Sequence, residues 1–306
     1  MALVDGPVVV EVPATSANLG PGYDCLGLAL ELRDRLTASV AGTLSITVDG
    51  EGAEEVPTDE SHLVVRAVRA GLEFLGEGLP GLTLHCDNVI PHSRGLGSSS
   101  AAIVGGLCLA RGLVADGVAR MDDDALFALA NRLEGHPDNV APATYGGFVV
   151  CGQATGGGRT DVWAQRAPIG PEIAAVVFVP ADGVATEVAR GLLPAEVAHT
   201  DAAANTGRAA LLVAALAGAP ERLLRATEDF LHQRYRASAM PASYALVEDL
   251  REAGVPAVIS GAGPTVLAFT APVLPVADTV RALGPDGWRV ETLSIATTGV
   301  RLTTAG

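Results

Sequence analysis

The chain has 306 residues, of which 49% are apolar, and its formal net charge at pH 7 is -15. The length favours two domains, since a domain typically has roughly 100–200 residues, and the acidic balance argues against nucleic acid or an anionic membrane as a main partner. All 20 basic residues are arginine, which excludes a Walker A phosphate loop, the lysine-dependent site of protein kinases and Schiff-base chemistry.

Hydropathy and cysteine usage indicate a cytoplasmic protein. No run approaches the roughly 18 consecutive apolar residues of a membrane span, and residues 1–13 lack the basic region that opens a signal peptide. The cysteines Cys25, Cys86, Cys108 and Cys151 form no CxxC pair. We expect them to be small core residues in a reducing compartment, without zinc-site spacing.

In the first half of the chain, strand-like alternation and helical periodicity follow one another. The alternation predicts strands at residues 8–13, 44–48, 82–90 and 148–151. Apolar stripes and capping signals predict helices at residues 59–75, with Asp59 or Ser61 as cap, at 99–109 and at 124–134.

A glycine-rich stretch at residues 153–160 is a candidate domain boundary or hairpin tip. Beyond it, the pattern predicts strands at residues 174–180, 257–260, 266–269 and 289–295. It predicts helices at residues 201–216, 221–232, 242–253 and 275–283. Strands and helices thus mix in both halves, which indicates an α+β protein of two layers.

The segment with the clearest chemistry is residues 91–102, PHSRGLGSSSAA, between a predicted strand and a predicted helix. Gly95 and Gly97 permit backbone conformations and close approaches that other residues do not. Ser98, Ser99 and Ser100 open the helix, whose first N–H groups lack partners and together with the helix dipole attract an anion. The segment therefore predicts a phosphate site that needs no lysine.

This segment resembles the ATP-binding loop of the GHMP kinases, which phosphorylate small metabolites such as galactose, homoserine and mevalonate. Residues 12–29, VPATSANLGPGYDCLGLA, are similar to the first motif of that family, and residues 260–265, SGAGPT, to its third. Three matches in the same order along most of the chain identify it as a member of this family.

Finer detail resembles the members that phosphorylate homoserine. This holds for Asn18 and Asp24 in the first motif and for residues 136–143, HPDNVAPA, which precede two glycines. It also holds for the spacing of Thr186 and Arg190, for Asn205-Thr206, and for residues 232–236, HQRYR. One departure is that only Gly135 separates Glu134 from His136, where many relatives have several more residues.

The resemblance implies an α+β architecture of two domains: residues 1–160 of the ribosomal-protein-S5 domain 2 type and residues 161–306 of the ferredoxin-like type. It implies that ATP, with Mg²⁺, phosphorylates the hydroxyl of L-homoserine to O-phospho-L-homoserine, a step of threonine biosynthesis. Relatives are often homodimers, so we expect a homodimer that binds neither nucleic acid nor membrane.

Site residues follow from the same resemblance. Ser99 and Glu134 are the expected Mg²⁺ ligands, and ATP is expected to contact Pro91, His92, Ser93, Arg94, Gly95, Leu96, Gly97, Ser98, Ser99, Ser100 and Ala101. The acceptor is expected to contact Asn18, Asp24, His136, Thr186, Arg190 and Arg236. Asp24 suits its ammonium, and the arginines suit its carboxylate. The expected catalytic residues are Asn139, Glu134 and Arg190.

The proton acceptor is the open point. Related kinases of sugars and mevalonate use a carboxylate where this chain has Asn139, which cannot accept a proton, although Asp138 is adjacent. We therefore predict that no strong side-chain base acts and that the hydroxyl proton leaves after attack in a loose transition state.

Two other functions remain open at this stage. The chain could be a GHMP kinase of mevalonate or a sugar, or a non-catalytic relative that binds ATP and a metabolite. A dinucleotide site fits less well, because the glycine loop is not G-x-G-x-x-G.

Overall fold

The computed structural model describes residues 3–4, 6–156 and 159–304. The strands in this part are β1 Val8–Ala17, β2 Leu26–Val40, β3 Ser45–Gly50, β4 Leu82–Asn88, β5 Phe148–Gly156, β6 Arg159–Ala167, β7 Ala174–Val179, β8 Ala257–Ile259, β9 Val266–Thr270, β10 Arg289–Ser294 and β11 Arg301–Thr304.

The helices are α1 Leu63–Phe74, α2 Ser98–Leu113, α3 Gly117–Arg120, α4 Asp123–Glu134, α5 Pro137–Tyr145, α6 Thr186–Gly191, α7 His199–Gly218, α8 Leu223–Ala226, α9 Gln233–Arg236, α10 Pro241–Glu252 and α11 Ala277–Arg281. Short 3₁₀ turns lie at Pro220–Arg222 and Ala237–Ala239.

The first sheet has seven strands in the described residues and runs β11-β1-β2-β4-β3, with β5 paired to β2 and β6 paired to β5. All pairs are antiparallel except β3 with β4. Helix α2 packs on β1 and α1 and is buried along almost its whole length, as expected of a helix that is apolar on all sides. The sheet thereby presents the start of α2 as a rigid platform.

The second sheet runs β10-β7-β9-β8 and is antiparallel throughout. Helices α10 and α11 pack on it around a separate core that includes Phe178, Leu250 and Val280. A bridge between Leu30 and Ile295 joins the two sheets, and β11 then returns to the first sheet. The architecture is therefore α+β with two sheets, as the sequence predicts.

The predicted domain division at residue 160 stays a prediction. By sheet membership, β6 belongs with the first sheet up to Ala167, and β11 returns to that sheet at the chain's end. The glycine-rich stretch is the tip of the β5–β6 hairpin, whose last pair is Gly156 with Arg159; residues 157 and 158 lie outside the described residues.

Most predicted elements are present, and the exceptions have physical causes. Helix α1 begins at Leu63 with His62 as its cap, because Asp59 instead binds Ser61 in a preceding turn. The helix predicted at residues 221–232 is wrong beyond Ala226: the Asp229 carboxylate accepts backbone N–H groups of the next residues and caps the short α9. Strand β2 and helix α5 were not predicted.

Three of the four cysteines are buried and Cys25 is half-buried, and all four are free thiols, as expected of small core residues; the reducing compartment stays a prediction. None of the helices in the described part combines the length and apolarity that crossing a bilayer requires.

Candidate active site

The glycine loop joins β4 to α2 and is shaped by two glycines with positive φ, Gly95 at 77° and Gly97 at 72°. A side chain would not fit at either position. A Cβ atom on Gly97 would lie 1.9 Å from Thr15 Oγ1, and one on Gly95 would lie 2.3 Å from the Ser260 carbonyl oxygen. Gly95 therefore packs against the backbone of the third motif and Gly97 against the Thr15 side chain of the first, and glycine is required at both positions.

Hydrogen bonds lock the three motifs together. Thr15 N donates to Leu96 O at 3.0 Å and Gly261 N donates to Ala17 O at 3.0 Å. The Ser260 hydroxyl lies 2.6 Å from Gly95 O. Segments from both ends of the chain thus fix the loop, and the first turn of α2 remains open for an anion.

Glu134 lies at the end of α4, opposite the start of α2. Its Oε1 accepts hydrogen bonds from Ser99 Oγ at 2.7 Å and Ser100 Oγ at 2.8 Å. A carboxylate beside hydroxyl oxygens is a donor set that suits Mg²⁺, which prefers oxygen ligands. Gly135 follows with φ of 94° and turns the chain sharply, so Glu134 and His136 line the same cavity despite their short spacing.

The polar cavity of about 160 Å³ lies between the glycine loop and the arginines of the second half. It collects most of the sequence-predicted site residues, which come from widely separated segments: Asn18, Ser93, Gly95, Gly97, Ser98, Ser99, Glu134, His136, Asn139, Thr186, Arg190 and Arg236. Asp24 reaches it through Arg190.

A second, apolar cavity of about 260 Å³ lies on the other side of the loop and shares Ser93, Ser98 and Ser99 with the first. Two polar side chains in its lining have assigned roles. His62 Nδ1 accepts from Val64 N at 3.2 Å, so Nε2 carries the proton, and Asn88 Nδ2 donates to Glu51 O at 3.2 Å, which leaves Oδ1 as acceptor. His62 Nε2 and Asn88 Oδ1 are therefore a donor and an acceptor among the polar groups of this lining.

Asp24 and Arg190 form a two-point ion pair. Arg190 Nη2 lies 2.8 Å from Asp24 Oδ1 and Nη1 lies 3.4 Å from Oδ2, and Tyr23 Oη accepts from Nη1 at 3.1 Å. Burial alone would lower the pKa of Arg190, but the hydrogen bond and charge of Asp24 outweigh it and raise that pKa. Each group thus neutralises the other.

Arg236, by contrast, is 1% exposed and pairs with no carboxylate in the described part of the chain. Its partners are neutral: Ala189 O at 3.3 Å, His232 Nδ1 at 3.2 Å and Gly261 O at 3.3 Å. Burial lowers its pKa. A buried cation without a counter-ion is unfavourable, so this end of the cavity is prepared for an anion.

Both the nitrogen and the oxygen of the Asn18 side-chain amide make hydrogen bonds within the protein. Nδ2 donates to Gly261 O at 2.8 Å, and Oδ1 accepts from Asp24 N at 3.0 Å. The side chain thereby holds the tight turn in which Asn18 and Asp24 have positive φ values of 67° and 54°. It positions Asp24 as well as lining the cavity.

Asn139 and Asp138, the two residues expected near the acceptor hydroxyl, differ in whether they can accept a proton. Asn139 Oδ1 accepts from Thr15 Oγ1 at 2.8 Å, so its Nδ2 is the group left to donate. Asp138 is buried, one of its oxygens has no hydrogen bond, and burial followed by the charge of Asp24 raises its pKa to about 7. Burial also lowers the pKa of His136, and Arg190 lowers it further.

Several other residues of the predicted ATP-binding segment have side chains that pack in the core or bind other parts of the protein. Leu96 and Ala101 are buried in the core, and Ser100 is bound to Glu134. The Arg94 guanidinium donates to His92 O at 2.7 Å and to the Ala181 carbonyl, which ties the loop to the segment before α6. Pro91 is also buried, so these residues serve the loop mainly through their backbone.

Outside both cavities, Asp49, His85 and Asp87 bring possible metal-ligand atoms within 4.8 Å of one another on β3 and β4. Two of the three are exposed, and in the described chain nothing besides the side chains themselves points to a bound ion there.

Sequence reasoning missed His62, Asn88 and His232. His62 lies inside the helix predicted at residues 59–75, which hides its role as the cap of α1, and the fold alone brings Asn88 into the same cavity lining. His232 lies in the segment at residues 232–236, four residues before Arg236, but its contact with Gly20 joins residues 212 positions apart.

Comparison with known proteins supplies family membership. A family model described as GHMP kinases N terminal domain matches residues 62–147, and one described as GHMP kinases C terminal matches residues 211–286. A homoserine kinase of Streptomyces avermitilis is 54% identical over 95% of this chain and 94% of its own length. A homoserine kinase of Rhodococcus erythropolis is 47% identical over 97% and 96%.

Solved structures show the same fold over nearly the whole chain. A homoserine kinase from Cytophaga hutchinsonii superposes with a TM-score of 0.82 at 26% identity, covering 99% of both chains. A mevalonate diphosphate decarboxylase from Staphylococcus aureus superposes with a TM-score of 0.69 at 15% identity, covering 97% and 98%; at this identity it supports the fold alone.

Proposed function

The chain belongs to the GHMP kinase family, and we propose that it transfers the γ-phosphoryl group of ATP to the side-chain hydroxyl of L-homoserine. The product is O-phospho-L-homoserine, an intermediate of threonine biosynthesis. One observation carries the proposal: a single cavity has the start of α2 at one end and, at the other, Arg190 paired with Asp24 and Arg236 without a carboxylate partner in the described residues. The high identity to homoserine kinases over most of the chain agrees with it.

We assign the apolar cavity to the nucleoside of ATP and the loop that separates the two cavities to its phosphates. The pairing of a donor at His62 with an acceptor at Asn88 suits adenine, which presents an amino group and ring-nitrogen acceptors. The triphosphate would then pass the first turn of α2, where backbone N–H groups and the helix dipole replace the missing lysine.

We assign Glu134 and Ser99 as the protein ligands of Mg²⁺, supported by the 2.7 Å hydrogen bond between them. When bound, the ion neutralises charge on the phosphate oxygens. Phosphoryl transfer depends mainly on positioning and charge neutralisation, and the loop, Glu134 and the arginines provide both from rigid elements.

We assign the acceptor's ammonium to Asp24 and its carboxylate to Arg236, with Arg190 shared between the two. A zwitterion brings one charge of each sign, so it can divide the Asp24–Arg190 pair without leaving either group unpaired. Arg236 gains the anion that the described chain does not give it. His136, Thr186, Asn18 and Asn139 complete the polar lining.

We infer that no strong side-chain base removes the hydroxyl proton. Asn139 is an amide, which cannot take up the proton, and its Oδ1 already accepts from Thr15 Oγ1. Asp138, with its pKa raised to about 7, is partly protonated at neutral pH, and it is the alternative base that the substitution Asp138→Asn tests. A late proton loss suits a loose transition state.

We further propose that the protein is cytoplasmic and acts as a homodimer, the arrangement common among its relatives. Sedimentation of the purified protein at micromolar concentration tests the second point. A single species with the mass of one chain, 31.0 kDa, would contradict it.

A coupled assay of ADP release with L-homoserine, L-serine and mevalonate tests the function. We expect the largest kcat/KM for L-homoserine, because only it combines a zwitterion with a hydroxyl at the reach of the loop. Much faster turnover of mevalonate or a sugar would assign another GHMP activity. ATP binding without ADP release across these acceptors would indicate a non-catalytic sensor.

A further inference from the structure

His232 is a buried histidine that the proposed reaction does not use. It is 0% exposed and immediately precedes α9, which carries Arg236. Its Nε2 lies 2.8 Å from the carbonyl oxygen of Gly20. A carbonyl can only accept, so Nε2 carries a proton.

The other ring nitrogen then has a defined role. In a neutral imidazole, protonation of Nε2 leaves Nδ1 as an acceptor. Nδ1 lies 3.2 Å from Arg236 Nη1, which can only donate. The two contacts agree on one tautomer, so His232 links the Gly20 turn of the first motif to the arginine.

Burial keeps the imidazole of His232 neutral. Burial lowers the pKa of His232, and the charge of Arg236 lowers it further, against the charges of Asp229 and Asp24. The Asp229 carboxylate lies 3.7 Å from Nε2 but accepts the backbone N–H groups of Leu231, His232 and Gln233. The Tyr23 ring packs 5.4 Å away.

The guanidinium of Arg236 is therefore held on two sides. Nε and Nη1 are bound to Ala189 O, His232 Nδ1 and Gly261 O. Nη2 makes no hydrogen bond within the described chain, and Arg236 lines the polar cavity. The one side-chain acceptor that fixes this orientation is His232.

We propose that His232 is a positioning residue that aims the unoccupied edge of Arg236 at the carboxylate of the acceptor. The proposal rests on the proposed function, since it takes that acceptor to be an amino acid. His232 contacts neither ATP nor acceptor in this account. The effect of His232 is confined to the affinity of Arg236 for the carboxylate of the acceptor.

Two substitutions separate the two contacts of the ring. His232→Gln retains an amide donor near the position of Nε2 but has no acceptor at Nδ1, whereas His232→Asn places Oδ1 near the position of Nδ1. A hydrogen bond to a charged group is worth about 1.5–3 kcal/mol, or roughly ten- to a hundredfold in affinity. We expect KM for L-homoserine to rise by about that factor in His232→Gln and by less than about threefold in His232→Asn.

The substrate itself provides the second arm of the test. 3-Aminopropan-1-ol is homoserine without its carboxylate. We expect its kcat/KM, the KM for ATP and the kcat with saturating homoserine to change by less than about threefold in either variant. In an Arg236→Gln background, His232→Gln should add no further loss, since both residues act on the same contact. His199→Gln, at an exposed position, is the matched control.

Thermal melting and calorimetric titration with L-homoserine accompany the kinetics, so that a variant with weakened packing still gives an affinity. Equal losses for homoserine and 3-aminopropan-1-ol, or an additive loss in the Arg236→Gln background, would overturn the positioning role. If the wild-type protein failed to phosphorylate homoserine, the proposed function would fall. If wild type and His232→Gln bound homoserine with the same affinity, the positioning role of His232 would be refuted and the proposed function would not be affected.

Discussion

The phosphate end and the acceptor end of the polar cavity are built in different ways. The phosphate end is backbone: two glycines with positive φ and the first turn of α2. The acceptor end is side chain: Asp24, Arg190 and Arg236, which come from a tight turn, α6 and α9 and meet only in the folded chain.

The difference concerns what each end can tolerate. A site made of backbone groups needs room close to the backbone, so an added side-chain atom shifts the loop. A side-chain site depends on a balance of charges, so loss of one group changes specificity before it changes the fold. Substitutions at the phosphate end should therefore reduce kcat, and those at the acceptor end should raise KM for the acceptor.

The largest effect is expected for Glu134→Gln, which removes the charge at the proposed Mg²⁺ site between the two ends. Removing one preorganised oxyanion-hole donor reduces kcat by about 10²–10³ in enzymes of acyl transfer, and we expect a loss of similar size here. We also expect the Mg²⁺ concentration for half-maximal rate to rise. Glu73→Gln, exposed on α1, is the control, and a kcat within about threefold of wild type would remove Glu134 from the reaction.

Gly97→Ala tests the backbone end. The added Cβ would lie 1.9 Å from Thr15 Oγ1, and a shift of the loop by about 1 Å is enough to reduce turnover about 100-fold. Gly287→Ala is the matched control, since Gly287 has φ of 81° but no atom within 4 Å of an added Cβ. Equal activity of the two variants would show that the loop accommodates the added atom and would contradict the requirement for glycine at position 97.

Arg236→Gln tests the acceptor end. We expect KM for L-homoserine to rise about ten- to a hundredfold, from the loss of a charge-assisted hydrogen bond, with little change in KM for ATP. The preference for homoserine over 3-aminopropan-1-ol should fall by the same factor. Arg66→Gln, exposed on α1, controls for lost charge. A fall in kcat with unchanged KM would place Arg236 in the chemical step instead.

Asp138→Asn is expected to have the smallest effect on activity, less than about tenfold in kcat, because Asp138 is not assigned as a base. A loss above about 10³ with unchanged homoserine binding would identify it as the base.

The same substitution should change stability with pH. The folded pKa is raised from 3.8 to about 7, so the wild type binds a proton on folding and loses stability as pH rises from about 4 to 7. Above pH 7 the loss levels off. Unfolding free energies of wild type and Asp138→Asn should therefore diverge by about 2–3 kcal/mol between pH 5 and pH 8, in favour of the variant. A constant difference would contradict the raised pKa.

The sequence predicted the phosphate end because its signal is local: a strand, glycines and serines that begin a helix are contiguous at residues 91–102. The acceptor residues could be named only by resemblance. That Arg190 pairs with Asp24 while Arg236 stays unpaired depends on contacts such as the one between residues 166 positions apart. No spacing rule predicts it.

The missed elements have similar causes. Strand β2 carries charged residues along its second half, such as Glu31, Arg33 and Asp34, and so lacks clean alternation. Helix α5 begins with Pro137 and contains Pro142, which reads as loop in isolation. The first sheet and the polar segments around it stabilise both where local propensity does not.

The proposed reaction transfers the γ-phosphoryl group of ATP to the hydroxyl of a zwitterionic amino acid. Phosphorus NMR of the protein with Mg·ATP and L-homoserine tests it most directly. We expect the γ-phosphate signal of ATP to disappear and one phosphomonoester signal to appear, with as much ester formed as ADP. Release of inorganic phosphate alone, or the same ester yield from mevalonate but none from homoserine, would contradict it.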